Sequence, residues 1–198
     1  RPSELTTDGG VTWTTQLHES DKAPLQGIQF VEGTTTGYAV GDHGTIMKST
    51  DGGVTWVEQM YDPIYHFKDL FFVNASTGWV VGQDLSLDHF GVILNTTDGG
   101  TTWNQQTFGT DESLQGVWFA DEYTGWTVGG IVTDGIVMHT TDGGANWSYQ
   151  DAGGAKSLSS LCFVDDNHGW AVGYDGTIIY TDNGGILATE EINKDFQR

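Results

Sequence analysis

The chain has 198 residues, of which 27 are acidic and 7 are basic, and its formal net charge is −20 at pH 7. This length suits one domain with a full hydrophobic core. The charge excludes nucleic acids and anionic membrane surfaces as partners, because both attract positively charged proteins, and no apolar stretch is long enough to insert into a membrane.

A short phrase of the type Ser/Thr-x-Asp-Gly-Gly recurs along the chain, with a tryptophan three residues after the second glycine. The fifth copy, at residues 180–185, is decayed and lacks the tryptophan. We assign the phrase to the following residues: Asp8, Asp51, Asp98, Asp142, Asp182, Trp13, Trp56, Trp103 and Trp147. The aspartates lie between 40 and 47 residues apart. Among repeat architectures, this period predicts the four-stranded blades of a β-propeller.

Each repeat contains short runs of β-branched and aromatic residues between Gly and Asp, which favours strands and excludes helical repeats. In the clearest repeat, the pattern predicts strand a over 25–31, strand b over 37–41, strand c over 45–50 and strand d over 55–59. Strand a recurs at 67–73, 114–120 and 158–164. Strand b recurs as Gly-Trp-x-Val-Gly at 78–82, 125–129 and 169–173. The sequence therefore predicts an all-β propeller of four-stranded antiparallel blades.

The repeated phrase has a structural explanation as the turn between strands c and d. An aspartate carboxylate can accept hydrogen bonds from backbone N–H groups of its own turn, and glycine allows the positive φ that a tight reversal needs. The tryptophan that follows can bury its ring between neighbouring blades. Since the same residues recur in every blade, we interpret them as structural and not as catalytic or metal-binding groups.

Through the repeated Asp-Gly-Gly phrase and its tryptophan, the chain resembles the Asp-box, or BNR, repeat proteins. These proteins include sialidase-like propellers, some glycoside hydrolases and sorting-receptor ectodomains. With Gly-Trp-x-Val-Gly added, residues 3–185 look most like the bacterial propellers of the photosystem II stability and assembly factor type. The resemblance implies the propeller fold, a role in protein binding or assembly, and a secreted, periplasmic or cell-surface location. It is weakly specific for function, because one propeller frame hosts unrelated activities.

We expect one propeller domain over residues 1–190 and a polar tail over 191–198. Four or five blades could close into a ring if the strand at 11–16 completed the last blade, which would remove exposed sheet edges. Alternatively, the chain is part of a longer propeller. The single cysteine, Cys162, lies in an apolar run of strand a, so we expect a buried, inert thiol and no disulfide framework.

Function is expected where the repeats differ, on the face formed by the b–c and d–a loops. The most irregular part of this face lies at 61–66 and 83–90. Its candidate binding residues are Tyr61, Asp62, Tyr65, His66, Asp84, Asp88, His89 and Phe90. His and Asp side chains could hold a divalent cation such as calcium, but no ligand spacing supports a metal site, so we expect no cofactor.

Three classes of function remain open. Sialidase activity is excluded, because its three carboxylate-binding arginines cannot come from Arg1 and Arg198 alone. A glycoside hydrolase needs only two suitably separated carboxylates and stays a minor alternative. A non-enzymatic scaffold that binds a protein, preferably a basic one, fits better. Carbohydrate binding through Tyr61, Tyr65, Phe90 and Phe108, or a role as a subunit of an extracellular assembly, are further alternatives.

Overall fold

A computed structural model of the chain describes residues 3–6, 8–16, 23–87, 90–106 and 111–185. It confirms the all-β class. A two-stranded hairpin is followed by four antiparallel sheets of three or four strands, which we call blades 1 to 4. Across the described residues, no helix is long and apolar enough to cross a membrane.

The elements follow the predicted order of strands a, b, c and d. The hairpin consists of β1 (Ser3–Leu5) and β2 (Thr14–Gln16). Blade 1 consists of β3 (Leu25–Phe30), β4 (Gly37–Gly41), β5 (Ile46–Ser49) and β6 (Val57–Met60). Blade 2 consists of β7 (Tyr65–Phe72), β8 (Gly78–Asp84), β9 (Phe90–Thr96) and β10 (Asn104–Gln105).

Blades 3 and 4 repeat this pattern. Blade 3 consists of β11 (Leu114–Phe119), β12 (Gly125–Ile131), β13 (Asp134–Thr140) and β14 (Ser148–Gln150). Blade 4 consists of β15 (Leu158–Phe163), β16 (Gly169–Gly173) and β17 (Ile178–Thr181). Short 3-10 turns join strands b and c at Asp42–Gly44, Leu85–Leu87 and Tyr174–Gly176. Strand a of each blade contacts strand a of the next, so β3, β7, β11 and β15 follow one another along the inner side.

The glycines of strand b are required by close packing within each blade. The first glycine of the motif lies under the phenylalanine ring of strand a, as Gly78 does under Phe72, and a Cβ atom there would overlap the ring. The last glycine, such as Gly82, approaches the backbone carbonyl of His66, where a Cβ atom would also overlap. Gly-Trp-x-Val-Gly is therefore a packing motif, and the tryptophan between its glycines is free to face the next blade.

Neighbouring blades are joined by aromatic stacking. The strand-b ring of one blade stacks on the strand-a phenylalanine of the next: Tyr38 on Phe72 with ring centroids 3.6 Å apart, Trp79 on Phe119 at 3.5 Å and Trp126 on Phe163 at 4.2 Å. Tyr38, Trp79 and Trp126 are each at most 1% exposed. Such rings contribute large apolar burial and additional stacking energy.

The same strand-b rings make hydrogen bonds across the blade junctions. The Trp126 Nε1–H donates to the Gly184 carbonyl at 3.0 Å, and the Gln150 side chain donates to the same oxygen at 3.0 Å. The equivalent carbonyls of Gly143 and Gly99 also accept two hydrogen bonds each from the preceding blade. Each carbonyl belongs to the first glycine of an Asp-box, so the repeated turn also provides the acceptor for the neighbouring blade.

Three sequence-based expectations need correction. Among the described strands, β2 pairs with β1 alone and β17 with β16 alone, so the proposed completion of the last blade by residues 11–16 is not observed. Cys162 is exposed, because its strand position faces away from blade 3. Trp13 is 58% exposed and not buried between blades. In blades 2 and 3, the box tryptophans Trp103 and Trp147 pack edge-on against the phenylalanine of their own blade.

Candidate functional site

The Asp-box carboxylates accept hydrogen bonds from residues of their own turns. Asp51 accepts the Thr55 N–H at 2.9 Å and the Thr55 hydroxyl at 2.6 Å, while the Ser49 hydroxyl donates to the same carboxylate at 2.9 Å. Hydrogen bonds from Thr55 lower the pKa of Asp51 to about 2. Both glycines of the turn, Gly52 and Gly53, have positive φ. These carboxylates stabilise the turns and have little capacity left for a ligand.

The fifth Asp-box uses a different residue from the one assigned by sequence. The Thr181 hydroxyl donates to the Asn183 side-chain oxygen at 2.9 Å and accepts the Gly185 N–H at 2.6 Å. This is the pattern that Thr140, Asp142 and Gly144 form in blade 3. Asn183 therefore occupies the box position, and the assignment of Asp182 is corrected. The two glycines determine the register, and the residue directly before them is the asparagine.

The face that carries the Asp-boxes, which we call the box face, is also acidic in its a–b loops. Asp121 accepts the N–H groups of Tyr123 and Thr124, and Asp165 accepts those of Asn167 and His168. These backbone hydrogen bonds are the largest cause of the lowered pKa of both carboxyl groups. These carboxylates of the box face therefore mainly accept hydrogen bonds from their own turns.

On the opposite face, which we call the loop face, the b–c turn of blade 1 meets the segment that enters blade 2. The Asp62 N–H donates to the His43 carbonyl at 3.0 Å. Gly44 lies so close to the Asp62 carbonyl that a Cβ atom would overlap it. This backbone contact brings Tyr61, which is 54% exposed, beside the b–c turn.

Two histidines and a carboxylate lie at this junction. The His66 Nδ1 is 3.7 Å from Asp42 Oδ1, and the rings of His43 and His66 have centroids 5.8 Å apart. The Tyr61 ring is 6.2 Å from that of His43 in an edge-on arrangement. We call Asp42, His43, Tyr61, Asp62 and His66 the Tyr61 patch.

His43 has an unusual backbone conformation for a residue other than glycine. Its φ is 57°, in the left-handed region that disfavours most side chains but is tolerated by His, Asn and Asp. Its Nδ1 atom is buried and has no hydrogen-bond partner among the described residues. The equivalent position in blade 4, Asp175, has the same conformation, with φ of 60°. The conformation therefore belongs to the turn, whereas the histidine ring is specific to blade 1.

The other described candidates, Tyr65, Asp84 and Phe90, have surroundings that differ from those of Tyr61. Tyr65 packs against the hydrophobic core, and burial, followed by the charges of Asp84 and Asp62, raises its pKa. Asp84 is 5% exposed and accepts the N–H and hydroxyl of Ser86 at 2.8 and 2.6 Å, so it caps a turn. Phe90 begins β9 and is 37% exposed. Two other candidates, Asp88 and His89, lie outside the described residues, as does Phe108.

Sequence reasoning did not assign Asp42 and His43 to the same site as Tyr61 and His66. The two pairs are separated along the chain, and their proximity depends on the packing of the b–c turn against the following blade. The sequence Gly-Asp-His-Gly does contain a signal, since a histidine between turn residues occupies the position that Asp175 takes in blade 4.

A second residue that sequence reasoning missed is Asp69, on strand a of blade 2. Its Oδ1 accepts the Leu70 N–H at 2.9 Å and its Oδ2 accepts the Val117 N–H of blade 3 at 3.1 Å. Burial raises the pKa of this carboxyl group, and the two backbone hydrogen bonds oppose that shift. Asp69 links two blades and is positioned as a structural residue. In the part of the chain that the structure describes, no three His, Cys, Asp or Glu side chains converge as a metal site would require.

The blades, their turns and their junctions define this molecule as an Asp-box β-propeller protein. The sequence profile of the family described as photosynthesis system II assembly factor YCF48 matches residues 64–154. The resemblance deduced from the motifs is thereby confirmed over that part of the chain. No curated protein matches the sequence.

Solved structures show the same fold. The chain is similar to a YCF48 structure described as bound to D1 peptide, with 24% identity and a TM-score of 0.61, covering 77% of this chain and 47% of that one. It is also similar to YCF48 from Cyanidioschyzon merolae, with 20% identity and a TM-score of 0.62, covering 84% and 55%. The GH74 enzyme of Niastella koreensis matches with 19% identity and a TM-score of 0.69, covering 93% and 33%. The chain spans about half the length of the YCF48 chains it matches.

Proposed function

We propose that this chain is a non-enzymatic propeller that binds an extended, basic segment of a protein partner at the Tyr61 patch. The observation that carries the proposal is the exposed Tyr61 ring, 6.2 Å from the His43 ring, at a junction of two blades that also carries Asp42 and Asp62. An aromatic ring and two carboxylates on one patch suit a lysine or arginine side chain, through cation–π and charge interactions.

The charge of the whole molecule supports a basic partner. A formal net charge of −20 attracts cations over a long range and accelerates encounter with a positively charged segment. Among the described residues of the loop face, one lysine, Lys156, pairs with a carboxylate, and that carboxylate is Asp175 of blade 4. Because no described lysine pairs with Asp42 or Asp62, these two carboxylates can pair with the cations of a ligand.

The relatives support a binding role at the level of class. One similar YCF48 structure is that of a complex with D1 peptide. For this chain, we propose only the general mode of binding, in which a propeller binds a segment of another protein. A location outside the cytoplasm, secreted, periplasmic or on the cell surface, is part of the same proposal.

Glycan binding or hydrolysis of the GH74 type is the competing function. The structural similarity to the GH74 enzyme reflects fold alone at 19% identity. Of the aromatic residues suggested for sugar stacking, Tyr61 and Phe90 are exposed, whereas Tyr65 packs against the core. Among the described residues suggested for stacking, Tyr61 and Phe90 are thus the rings that a sugar could contact.

The proposal is tested by fluorescence anisotropy with a labelled lysine-rich peptide. We expect Asp42→Asn combined with Asp62→Asn to weaken binding about two- to thirtyfold, because exposed charge pairs contribute roughly 0.2–1 kcal/mol each. Tyr61→Ala should weaken it further. Glu58→Gln, a charge removed from an exposed position on β6, is the matched control and should change the affinity little.

Two further measurements separate the alternatives. The affinity for the peptide should fall steeply as ionic strength rises, because salt screens exposed charges, whereas sugar stacking should be insensitive to salt. Equal weakening by Glu58→Gln would contradict a specific site. Binding of a β-glucan oligosaccharide in place of the peptide, with release of reducing sugar, would replace the proposal by the hydrolase alternative.

A further inference from the structure

The Tyr61 patch contains two histidines beside the carboxylates that the proposed function assigns to a cationic ligand. His66 lies on β7 and His43 in the b–c turn of blade 1, and their ring centroids are 5.8 Å apart. Histidine is the side chain whose charge ordinarily changes between about pH 5 and pH 8, where aspartate ordinarily stays ionised. The net charge of this patch therefore depends on pH near neutrality.

His66 is placed to compete with a ligand for one of these carboxylates. Its Nδ1 is 3.7 Å from Asp42 Oδ1, and both side chains are partly exposed. A protonated imidazole at this distance pairs with the carboxylate by charge, whereas a neutral imidazole does not. The Gln26 side chain also donates to Asp42 Oδ1, in a long contact of 3.5 Å. Protonation of His66 therefore occupies the carboxylate that a cationic side chain of the partner would use.

His43 has different surroundings. Its Nδ1 atom is buried and has no hydrogen-bond partner among the described residues. A proton on this atom would add a buried N–H without an acceptor, which costs free energy. Of the two rings, His66 is the one whose Nδ1 faces a carboxylate, and it is therefore the one that can exchange a proton for a ligand's charge.

The groups on β8 next to His66 do not supply a competing charge. The ladder of blade 2 pairs His66 with Gln83, which does not titrate. The carboxylate that follows on this strand, Asp84, pairs with Tyr65 in the ladder and accepts the N–H and hydroxyl of Ser86. Asp84 is thus committed to its own turn.

The remaining ionisable groups around β7 keep a constant charge near neutral pH. Burial, followed by the charges of Asp84 and Asp62, raises the pKa of Tyr65, and tyrosine and lysine ordinarily change charge near about pH 10, so Tyr65 and Lys68 contribute no change between about pH 8 and pH 6. Strand a of blade 3 packs along β7, and just before that strand the Glu112 carboxylate accepts a backbone N–H of its own blade. His66 and its neighbour His43 are therefore the groups of this junction that titrate in that range.

We propose that protonation of His66 releases the basic partner segment, so that the Tyr61 patch binds this segment at about pH 8 and releases it at about pH 6. The inference rests on the proposed function, because it concerns the same site and the same ligand. His66 takes up one proton and pairs with Asp42, and the lysine or arginine side chain that held this carboxylate loses its pair. The new positive charge also repels the remaining cations of the segment.

Fluorescence anisotropy with a labelled arginine-rich peptide, at constant ionic strength, measures the effect. Arginine keeps its charge over the whole range, so a change in affinity reports the protein and not the peptide. We expect the dissociation constant of the unmodified protein to rise about two- to thirtyfold as pH falls from about 8 to 6, because one exposed ion pair is lost and one repulsion is gained.

Two histidine variants identify the group responsible. His66→Gln keeps a neutral polar side chain, so it should bind like the unmodified protein at about pH 8 and lose most of the weakening at about pH 6. His168→Gln is the matched control, because His168 is also an exposed histidine beside an aspartate, with its Nδ1 2.9 Å from Asp165, but lies on the box face. It should keep the full pH dependence. Circular dichroism at both pH values shows that each variant is folded.

Asp42→Asn tests the route by which His66 acts. This variant should bind more weakly than the unmodified protein at about pH 8 and show a smaller change towards about pH 6, because His66 has no carboxylate left to occupy. A change as large as that of the unmodified protein would contradict competition for Asp42.

The outcomes separate this inference from the proposed function. Binding whose affinity does not change with pH, or an equal pH dependence in His66→Gln and the unmodified protein, would overturn the inference and leave the proposed function in place. No binding of the peptide at about pH 8 would overturn the proposed function and the inference with it.

Discussion

The junction between blades 3 and 4 permits a quantitative test of how the Asp-box links neighbouring blades. Trp126 and Gln150 donate to the same Gly184 carbonyl, each at 3.0 Å, and Gly184 is buried. Trp126→Phe keeps an aromatic ring on Phe163 but removes the Nε1–H donor. Gln150→Ala removes the other donor. Each single variant leaves the carbonyl with one hydrogen bond, and the double variant leaves it with neither of them.

The expected free energies follow from these contacts. One net hydrogen bond contributes about 1 kcal/mol, and the smaller ring of Trp126→Phe leaves a cavity that costs roughly 1–2 kcal/mol more. We therefore expect losses of about 2–3 kcal/mol for Trp126→Phe and about 1 kcal/mol for Gln150→Ala. The double variant should lose about 1–2 kcal/mol more than the sum, because a buried carbonyl without a partner carries a desolvation penalty.

Urea denaturation followed by tryptophan fluorescence and circular dichroism measures these values, provided that the two transitions coincide. A variant pair from blades 1 and 3, Val54→Ala with Gln150→Ala, serves as an additivity control. Val54 is 60% exposed in the Asp-box turn of blade 1, so its effect should add to that of Gln150→Ala. If Trp126→Phe and Gln150→Ala are equally additive, the shared carbonyl does not couple the two blades.

Three further predictions concern the carboxyl groups. The hydrogen bonds of the Asp-box hold the pKa of Asp51 at about 2, below its ordinary value, so its stabilisation is complete above about pH 4 and is lost as pH falls through about 4 to 2. Unfolding followed by circular dichroism from about pH 6 to about pH 2 should show this loss, and Asp51→Asn should reduce the slope; an unchanged slope would contradict it. Carbon-13 NMR titration should place the Asp69 carboxyl above the ordinary aspartate pKa, because of burial, and Asp51 below it; the reverse order would refute both assignments. Asp69→Asn should destabilise the fold by about 1–3 kcal/mol at about pH 7, measured by urea denaturation, because one amide oxygen cannot serve the N–H groups of both Leu70 and Val117; unchanged or increased stability would mean that the buried charge costs more than its hydrogen bonds contribute.

Much of the fold could be predicted because each blade repeats the same local rules. Strand b of blades 1 and 4 has the predicted bounds, since glycines that cannot carry a Cβ atom mark both of its ends. The assignment of Asp182 failed because it matched the aspartate and not its distance from the glycines. The prediction for Cys162 failed for another reason. An apolar run indicates a strand of the core. Whether a given side chain of that strand is buried depends on which side of the sheet it lies on and on whether another blade packs against that side.

The candidate site was only partly predictable, because it forms between blades. Sequence patterns located the irregular segment at 61–66, but they could not show that Asp84 and Tyr65 turn inward while Tyr61 stays exposed. Nor could they reveal that Asp42 reaches His66, since that contact depends on the packing of two repeats.

The two faces of the propeller also could not be distinguished by counting acidic residues. Carboxylates on the box face accept N–H groups of their own turns, which lowers the pKa of Asp121 and Asp165 and commits their oxygens to the fold. In the Tyr61 patch, Asp62 Oδ1 accepts the Ile64 N–H at 3.2 Å. The Asp42 carboxylate has weaker contacts among the described residues, at 3.5 Å from the Gln26 side chain and 3.7 Å from His66. A cation that displaces these weak contacts loses little, whereas one that binds an Asp-box must break the hydrogen bonds that form the turn. The proposed function therefore assigns the attraction of a basic partner to the overall charge, and its position on the loop face to the availability of carboxylate oxygens.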